Sequence, residues 1–221
     1  MIRQFSRQWL RALVILMCSA LIGTAQAAEK YIEGTHYALL PVPVDPIGDE
    51  HIEVVEVFSY ACIHCFNFDP FVEAWKEAQV EDVAFLRLPA IFSGDWELLA
   101  QAFYTAQTLG VLDDVHTGLF EGLHVRQEDL RRPELLAKLF AEQAEVSEED
   151  FYTAHNSFSV RSRVQQAKAK GRAYQVSGVP AMIVNGKYRV DGRMAGGNAA
   201  MLEVVDFLVE KERQASAKAA E

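Results

Sequence analysis

The sequence has 221 residues, of which 50% are hydrophobic and 24% are charged, and its formal net charge at pH 7 is −10. A chain of this length can bury a stable core without disulfides, so its three cysteines are not needed as structural staples. The acidic balance argues against nucleic acid and anionic membrane surfaces as partners, and we expect it to serve solubility.

Residues 1–27 have the features of a cleaved secretory signal peptide. Three arginines precede an apolar stretch from Ala12 to Ile22, and the small residues of Ala25-Gln26-Ala27 suit a cleavage site. A membrane anchor is the alternative, but the apolar stretch is much shorter than the roughly 20 residues that span a bilayer. We therefore predict an exported protein, whose net charge falls from −10 to −13 when the three arginines are removed.

Removal of this segment would also remove Cys18 and leave Cys62 and Cys65 in the exported chain. A lipoprotein would need small residues before Cys18, whereas residues 15–17 are all large. Two cysteines three positions apart close only a tiny loop, which adds little stability. In an exported protein this pair therefore indicates redox chemistry rather than a structural disulfide.

The first elements of the exported chain predict a strand, a helix and a strand. Thr35 to Leu40 suits a short strand, and Ile52 to Ser59 has the β-branched and aromatic run of a strand buried on both faces. A helix follows directly, with Pro70 inside it as a predicted kink. Val83 to Leu88 predicts the next strand, and two strands joined through a helix pair in parallel.

Residues from Asp95 to about Tyr174 show helical periodicity. Pro133 suits the first turn of one helix, and Ser147 followed by Asp150 suits the start of the next. Four or five consecutive helices are too many for one crossover connection. We therefore predict an inserted helical subdomain.

Strands return at Ala181 to Val184 and at Lys187 to Val190. They flank Asn185-Gly186, the strongest short signal for a β-hairpin, because both turn positions require positive φ. A last amphipathic helix follows, with a buried face between Met201 and Leu208. The chain after Arg213 is rich in Ala, Lys and Glu, and we expect it to fray.

Cys62 and Cys65 lie where the predicted central strand passes into its helix. The start of a helix has unsatisfied backbone N–H groups and the positive end of the macrodipole, and both stabilise an anion. The pKa of Cys62 should therefore fall, which makes Cys62 the nucleophile, and Cys65 is placed one turn inward to resolve a mixed disulfide. His64 can add positive charge or a hydrogen bond to the thiolate.

Half of a zinc site is the alternative interpretation of two cysteines at this spacing. It requires two further ligands, but the sequence has no second C-x-x-C and its other histidines are scattered singly. We expect no metal and interpret these histidines as surface or core residues. They are His36, His51, His116, His124 and His155.

Two segments resemble the DsbA family of periplasmic disulfide oxidases in the thioredoxin superfamily. They are EVFSYACIHCFNF, from Glu56 to Phe68, and VSGVPAMIVNGKY, from Val176 to Tyr188, with the predicted helical insert between them. The resemblance covers essentially the whole exported chain and implies an α/β, thioredoxin-like fold. The implied parts are a thioredoxin-like domain at 28–92 and 175–213, an inserted all-helical subdomain at 93–174 and a flexible tail at 214–221.

The resemblance implies roles for residues around the cysteines. Pro180, preceded by Val179, matches a cis-proline that helps this family hold extended substrate, so we expect a cis bond facing Cys62. His64 matches the family's commonest dipeptide, Pro-His, whereas Ile63 departs from it. This dipeptide tunes the reduction potential, so the oxidising strength is left open.

Glu56 and Arg87 match an acidic residue and a basic partner that the family keeps near its active-site disulfide. A glutamate inside an apolar strand is costly unless it is paired. The pair could tune the redox chemistry of the cysteines, or it could be a structural ion pair alone, and the sequence favours neither.

The implied activity is that of a thiol–disulfide oxidoreductase that donates a Cys62–Cys65 disulfide to exported proteins with reduced cysteines. The disulfide carries the electrons, so we expect no diffusible cofactor. The implied reoxidising partner is a quinone-linked membrane oxidase of the DsbB type, the implied location is the periplasm, and we expect a monomer. The alternatives are a disulfide isomerase or reductase on the same scaffold and a redox-inert, peptide-binding chaperone.

Overall fold

The computed structural model describes residues 29–46 and 51–219, which include a five-stranded mixed sheet. The predicted signal peptide with Cys18 lies outside the described residues, as do residues 220–221 of the predicted tail. Within the described ranges, no helix is long and apolar enough to cross a membrane.

The strands and helices follow one another in the predicted order of types, apart from one extra short helix after the last strand. The strands are β1 (Ala38–Leu39), β2 (Ile52–Phe58), β3 (Val83–Pro89), β4 (Ala181–Val184) and β5 (Tyr188–Asp191). The helices are α1 (Ile63–Glu77), α2 (Gly94–Leu109), α3 (Leu112–His124), α4 (Pro133–Ala144), α5 (Glu148–His155), α6 (Phe158–Ala173), α7 (Gly192–Ala195) and α8 (Asn198–Ala219). The order of strands across the sheet is β1-β5-β4-β2-β3.

Strand β2 lies inside the sheet, and all seven of its residues are buried. It pairs in parallel with β3, as predicted, and antiparallel with β4. Successive residues of a strand point to opposite faces, so Val55 and Val57 pack toward α2–α6, whereas Val54 packs with residues of α1 and α8. Burial on both faces explains why this strand has a continuous apolar run rather than an alternating pattern.

The hairpin between β4 and β5 is confirmed. Asn185 and Gly186 have φ angles of 49° and 59°, and Lys187 donates its N–H to the Val184 carbonyl at 3.0 Å. A side chain could not replace the hydrogen of Gly186, because a Cβ there would lie 1.7 Å from the backbone oxygen of Val44. The glycine therefore satisfies both the turn and a close backbone approach.

Helices α2–α6 lie between β3 and β4 in the chain, as the predicted insert requires. Pro133 is the first residue of α4, and the Ser147 hydroxyl accepts the Asp150 N–H at 3.1 Å to cap α5, so both predicted helix starts are confirmed. The boundaries of the subdomain as an independent unit stay a prediction.

The C-terminal region differs from the predicted pattern in one element and extends another. The short helix α7 was not predicted, and its N-terminus is capped by the Asp191 side chain. The last helix continues through Ala219, so residues 214–219 are helical, and fraying of the tail stays a prediction. Alanine, lysine and glutamate are strong helix formers, and Glu210 accepts hydrogen bonds from Arg213 and Gln214 across one turn.

Candidate active site

Cys62 and Cys65 lie at the junction of β2 and α1, and both carry free thiols. Cys62 is the N-cap of α1, with φ −97° and ψ 112°, so it precedes the first helical residue instead of lying within the first turn. Its side chain is half-buried, whereas that of Cys65 is 0% exposed. Substrate can therefore approach Cys62 directly, and Cys65 is shielded.

The sulfur of Cys62 lies among hydrogen-bond donors. The Cys65 N–H points to Cys62 Sγ with an N···S distance of 3.4 Å. The pKa of Cys62 is lowered to about 6, first by a hydrogen bond from the Cys65 side chain and then, against the effect of burial, by the backbone N–H groups of Cys65 and His64 and the charge of His64. Cys62 can therefore be a thiolate at neutral pH.

Cys65 has the opposite character. Burial raises its pKa far above the ordinary value, and the hydrogen bond with Cys62 raises it further. Cys65 therefore stays protonated, and its S–H donates a hydrogen bond to the Cys62 thiolate. The two sulfurs are unequal in both exposure and acidity, as the sequence predicted.

Pro180 reaches the active site because of the register between β2 and β4. Ala181 pairs with Val57, so the two residues before β4 lie beside the end of β2, where the chain turns toward Cys62. The Val179–Pro180 bond is cis, which confirms the prediction. The Val179 carbonyl oxygen lies 3.6 Å from Cys62 Sγ.

A cavity of about 290 Å³ opens beside this proline. His64 lies on its wall and is exposed to solvent, as is Ile63 at 46%. The other wall residues come from the loop before β4, from β5 and from the region of α7. They are Val176, Ser177, Gly178, Val179, Pro180, Ala181, Arg189, Asp191, Gly192, Arg193 and Asn198.

Glu56 and Arg87 form the predicted ion pair, on adjacent positions of β2 and β3. Arg87 Nε donates to Glu56 Oε2 at 2.9 Å, and Arg87 Nη2 donates to Asp69 at 3.0 Å and to Glu73 at 2.6 Å. The Arg87 guanidinium therefore donates hydrogen bonds to three carboxylates. Burial raises the pKa of Glu56, which is 1% exposed, to about 7, and the charges of Asp69 and Glu73 add to the rise while Arg87 opposes it.

Asp69, Glu73 and His116 also place three potential metal-ligand atoms within 4.8 Å of one another. The Arg87 guanidinium hydrogen-bonds both carboxylates, so a positive charge already lies in this cluster. The arrangement is that of an ion-pair network rather than of a cation site.

Replacing Glu56 with glutamine should stabilise the protein at pH 8. A folded-state pKa raised from 4.5 to about 7 favours the fold below pH 4.5, and this advantage is lost as pH rises through 7. The charges of Asp69 and Glu73 remain beside Arg87 in the variant. We therefore expect the free energy of unfolding to rise by only about 1 kcal/mol at pH 8, and not at all at pH 4.5. Denaturant unfolding of the reduced protein at both pH values measures it.

Glu73→Gln is the matched control, because Glu73 binds the same guanidinium. Burial acts to raise the pKa of Glu73, but hydrogen bonds from Lys76 and Arg87 lower it overall. Its neutralisation should therefore give no gain at pH 8. Equal effects of the two substitutions on stability would show that ionising the buried Glu56 costs no more than ionising Glu73.

Sequence reasoning missed two residues that contact Tyr60, in the segment before Cys62. The Tyr60 hydroxyl lies 2.7 Å from His116 Nδ1, and the Tyr60 carbonyl lies 2.7 Å from His124 Nε2. His116 is buried and His124 is half-buried, as expected of core and surface residues, but their contacts with Tyr60 were not predicted. Their spacing of eight residues puts them on one face of α3, and that was the available signal.

Comparison with known proteins gives consistent matches. The family model of the DSBA-like thioredoxin domain matches residues 73–209. The thiol:disulfide interchange protein DsbA of Pseudomonas aeruginosa is 43% identical over 206 residues, which are 92% of this chain and 96% of that protein. The match to a crystal structure of Pseudomonas aeruginosa DsbA spans 86% of this chain and 98% of that one, with 43% identity and a TM-score of 0.82. One of the oxidoreductase DsbA from Xylella fastidiosa covers 81% and 96%, with 34% identity and a TM-score of 0.75.

Proposed function

The chain belongs to the DsbA family and is a thiol–disulfide oxidoreductase with a thioredoxin-like fold, and from this premise we propose that Cys62 is its nucleophile and Cys65 its resolving thiol. In the oxidised enzyme a substrate thiolate attacks Cys62 Sγ, and the Cys62–Cys65 bond breaks. A second substrate thiolate then attacks the substrate sulfur of the mixed disulfide. The substrate gains a disulfide and gives two electrons to the enzyme. Cys62 is released as a thiolate, and Cys65 takes up one of the two protons that the substrate thiols lost when they ionised.

The inequality of the two thiols is the observation that carries this proposal. A good leaving group is a stabilised thiolate, and the pKa of Cys62 is about 6. Stabilising that thiolate favours the reduced enzyme, and this makes the oxidised enzyme a donor of disulfides. The alternative, isomerase or reductase activity on the same scaffold, is not favoured by this inequality.

Val179 and Pro180 support the binding of an extended substrate segment. The Val179 backbone lies next to Cys62, so a peptide could pair there as a strand pairs with a sheet edge. His64 and Ile63 lie exposed at the same place, where they can tune the reduction potential through charge and solvent access. We propose that the buried Glu56 also tunes the reduction potential, since its charge contributes to the raised pKa of Cys65.

The partners follow from the same chemistry. The reduced enzyme must return its electrons to an oxidant, and we propose a quinone-linked membrane oxidase of the DsbB type, with no diffusible cofactor. The substrates are exported proteins with reduced cysteines, and the location is the periplasm, as the signal-like residues 1–27 favour.

Disulfide donation is tested by mixing the oxidised protein with a reduced, unfolded protein that contains a cysteine pair. We expect one pair of substrate thiols to disappear for each enzyme disulfide reduced at pH 7, measured by alkylating the acid-quenched mixture and determining the mass of each protein, because the total number of thiols does not change. Equilibration with glutathione buffers should then favour the reduced enzyme more strongly than it favours reduced thioredoxin. The pre-reduced protein is the control, and equal thiol loss with it, or a thioredoxin-like equilibrium, would contradict oxidase activity.

A further inference from the structure

Helix α3 packs on the active-site segment through three rings spaced four residues apart. His116, Phe120 and His124 therefore lie along one face of the helix. The Phe120 ring lies 4.9 Å from that of Tyr60, and the His124 ring stacks on Phe66 at 5.3 Å with an interplanar angle of 16°. This face thus contacts the chain both before and after Cys62.

Tyr60 is held at its two ends by the two histidines. The hydroxyl meets His116 Nδ1, and the main-chain carbonyl meets His124 Nε2, both at 2.7 Å. The residue is 1% exposed, so water does not compete for these bonds. The buried hydroxyl and carbonyl of Tyr60 therefore both have hydrogen-bond partners, and these restrict where Tyr60 can lie.

The direction of the hydrogen bonds at His116 follows from its other neighbour. His116 Nε2 lies 3.0 Å from Asp69 Oδ1, which also accepts from Arg87. An ionised carboxylate can only accept, so Nε2 carries the proton and donates to Asp69. His116 Nδ1 then accepts from the Tyr60 hydroxyl, and burial, which lowers the pKa of His116, keeps the ring neutral.

We propose that His116 and His124 are positioning residues that fix Tyr60 and thereby align Cys62 with the donors that stabilise its thiolate. This inference rests on the proposed function of Cys62 as the nucleophile. It gives the inserted helices a part in redox chemistry that acts through Tyr60, because α3 supplies both histidines.

The connection from Tyr60 to Cys62 is short and rigid. Only Ala61 separates the two residues, and the Cys62 N–H donates to the Ser59 carbonyl at 3.0 Å across this turn. The Cys65 N–H donates to Cys62 Sγ at an N···S distance of 3.4 Å, and the geometry of this bond depends on where the turn places Cys62. A shift of the turn would weaken the interactions that lower the pKa of Cys62.

His155 provides a matched control within the same set of helices. It is 5% exposed, as is His116, and it lies 3.1 Å from the Thr105 hydroxyl. Its ring stacks on Phe151, far along the chain from Cys62. A His155→Gln substitution therefore reports the cost of altering a buried histidine without touching Tyr60.

The experiment compares Tyr60→Phe, His124→Ala, His124→Gln and His155→Gln with the parent protein. Two readouts are the pKa of Cys62, from thiolate absorbance, and the equilibrium constant with glutathione. We expect Tyr60→Phe and His124→Ala to raise the pKa of Cys62 and to shift the equilibrium roughly three- to tenfold toward the oxidised enzyme, the range that one hydrogen bond allows. His124→Gln keeps a donor and should restore most of the parent values.

His155→Gln should destabilise both redox forms equally and leave both readouts unchanged. If Tyr60→Phe and His124→Ala also leave the pKa and the equilibrium unchanged, the positioning role is wrong and the contacts serve packing alone. Tyr60→Phe keeps the ring and its packing, so it provides this test even where His124→Ala does not fold. Failure of the proposed function is a separate result, because the parent protein would then not oxidise thiols at all.

Discussion

A Cys62→Ser variant is expected to lose disulfide exchange by at least about a thousandfold, the order of magnitude that other enzymes lose with their nucleophile. A serine hydroxyl is not ionised at neutral pH and cannot form a disulfide, whereas the pKa of Cys62 is about 6. The measurement is the rate at which oxidised enzyme consumes substrate thiols. The fold should persist, because the half-buried Cys62 contributes little to the core.

A Cys65→Ala variant should give a different outcome, the accumulation of mixed disulfides. Cys62 still exchanges with a substrate disulfide, but the internal thiol that would attack Cys62 Sγ and release the substrate is gone. Non-reducing electrophoresis and intact mass measurement would detect the adducts. In the parent protein, an alkylating reagent should modify Cys62 before Cys65, since Cys65 is buried and keeps its proton.

The same assays can contradict the assignment. Preferential labelling of Cys65, or trapped adducts from Cys62→Ser in place of Cys65→Ala, would exchange the roles of the two residues. Peptide binding that Cys62→Ser retains in full, together with no disulfide exchange by the parent protein, would favour a binding module that holds peptides near Pro180 without redox chemistry.

Much of the fold could be predicted because its signals are local. The apolar run of β2, the Asn185-Gly186 turn and the Ser147 cap each act within a few residues of sequence. The site followed from one such signal, a cysteine at the start of a helix, combined with a family resemblance that carried Pro180. Neither the cis bond nor its distance from Cys62 follows from spacing alone.

The missed features depend on contacts between residues far apart in the chain. Tyr60 and His116 are separated by 56 positions, and Tyr60 and His124 by 64. A single histidine has no pattern that names its partner, so only the docking of α3 onto the turn before Cys62 brings them together. The same holds for Glu56, whose partner Arg87 was predicted but whose shared network with Asp69 and Glu73 was not.

The reduced protein should become more stable than the oxidised protein as pH rises from 6 to 9. The pKa of Cys62 is about 6 in the fold and near 9 when the chain is unfolded. A lowered folded-state pKa stabilises the reduced fold fully above pH 9, and this contribution is lost as pH falls through 6. Three pKa units correspond to at most about 4 kcal/mol, and solvent screening at the half-buried Cys62 reduces this to roughly 2 kcal/mol.

Two effects oppose this gain and define where it is measured. A disulfide that closes so short a loop stabilises the oxidised form by at most roughly 2 kcal/mol, and any strain in the bond reduces that amount. The raised pKa of Cys65 works against the reduced fold above pH 9, because only the unfolded chain then ionises this thiol. The clearest quantity is therefore the difference in unfolding free energy between the two forms at pH 6 and at pH 8.

That difference should move toward the reduced form by about 1–2 kcal/mol between pH 6 and pH 8, as measured by denaturant unfolding of both forms. Cys65→Ala should raise the pKa of the remaining thiol more than His64→Ala does, because the Cys65 side chain is the largest cause of the lowered value and the His64 charge is a smaller one. A pH-independent advantage of the oxidised form would mean that the disulfide is structural. The unequal thiols would then not drive disulfide donation, and the oxidase assignment would fail.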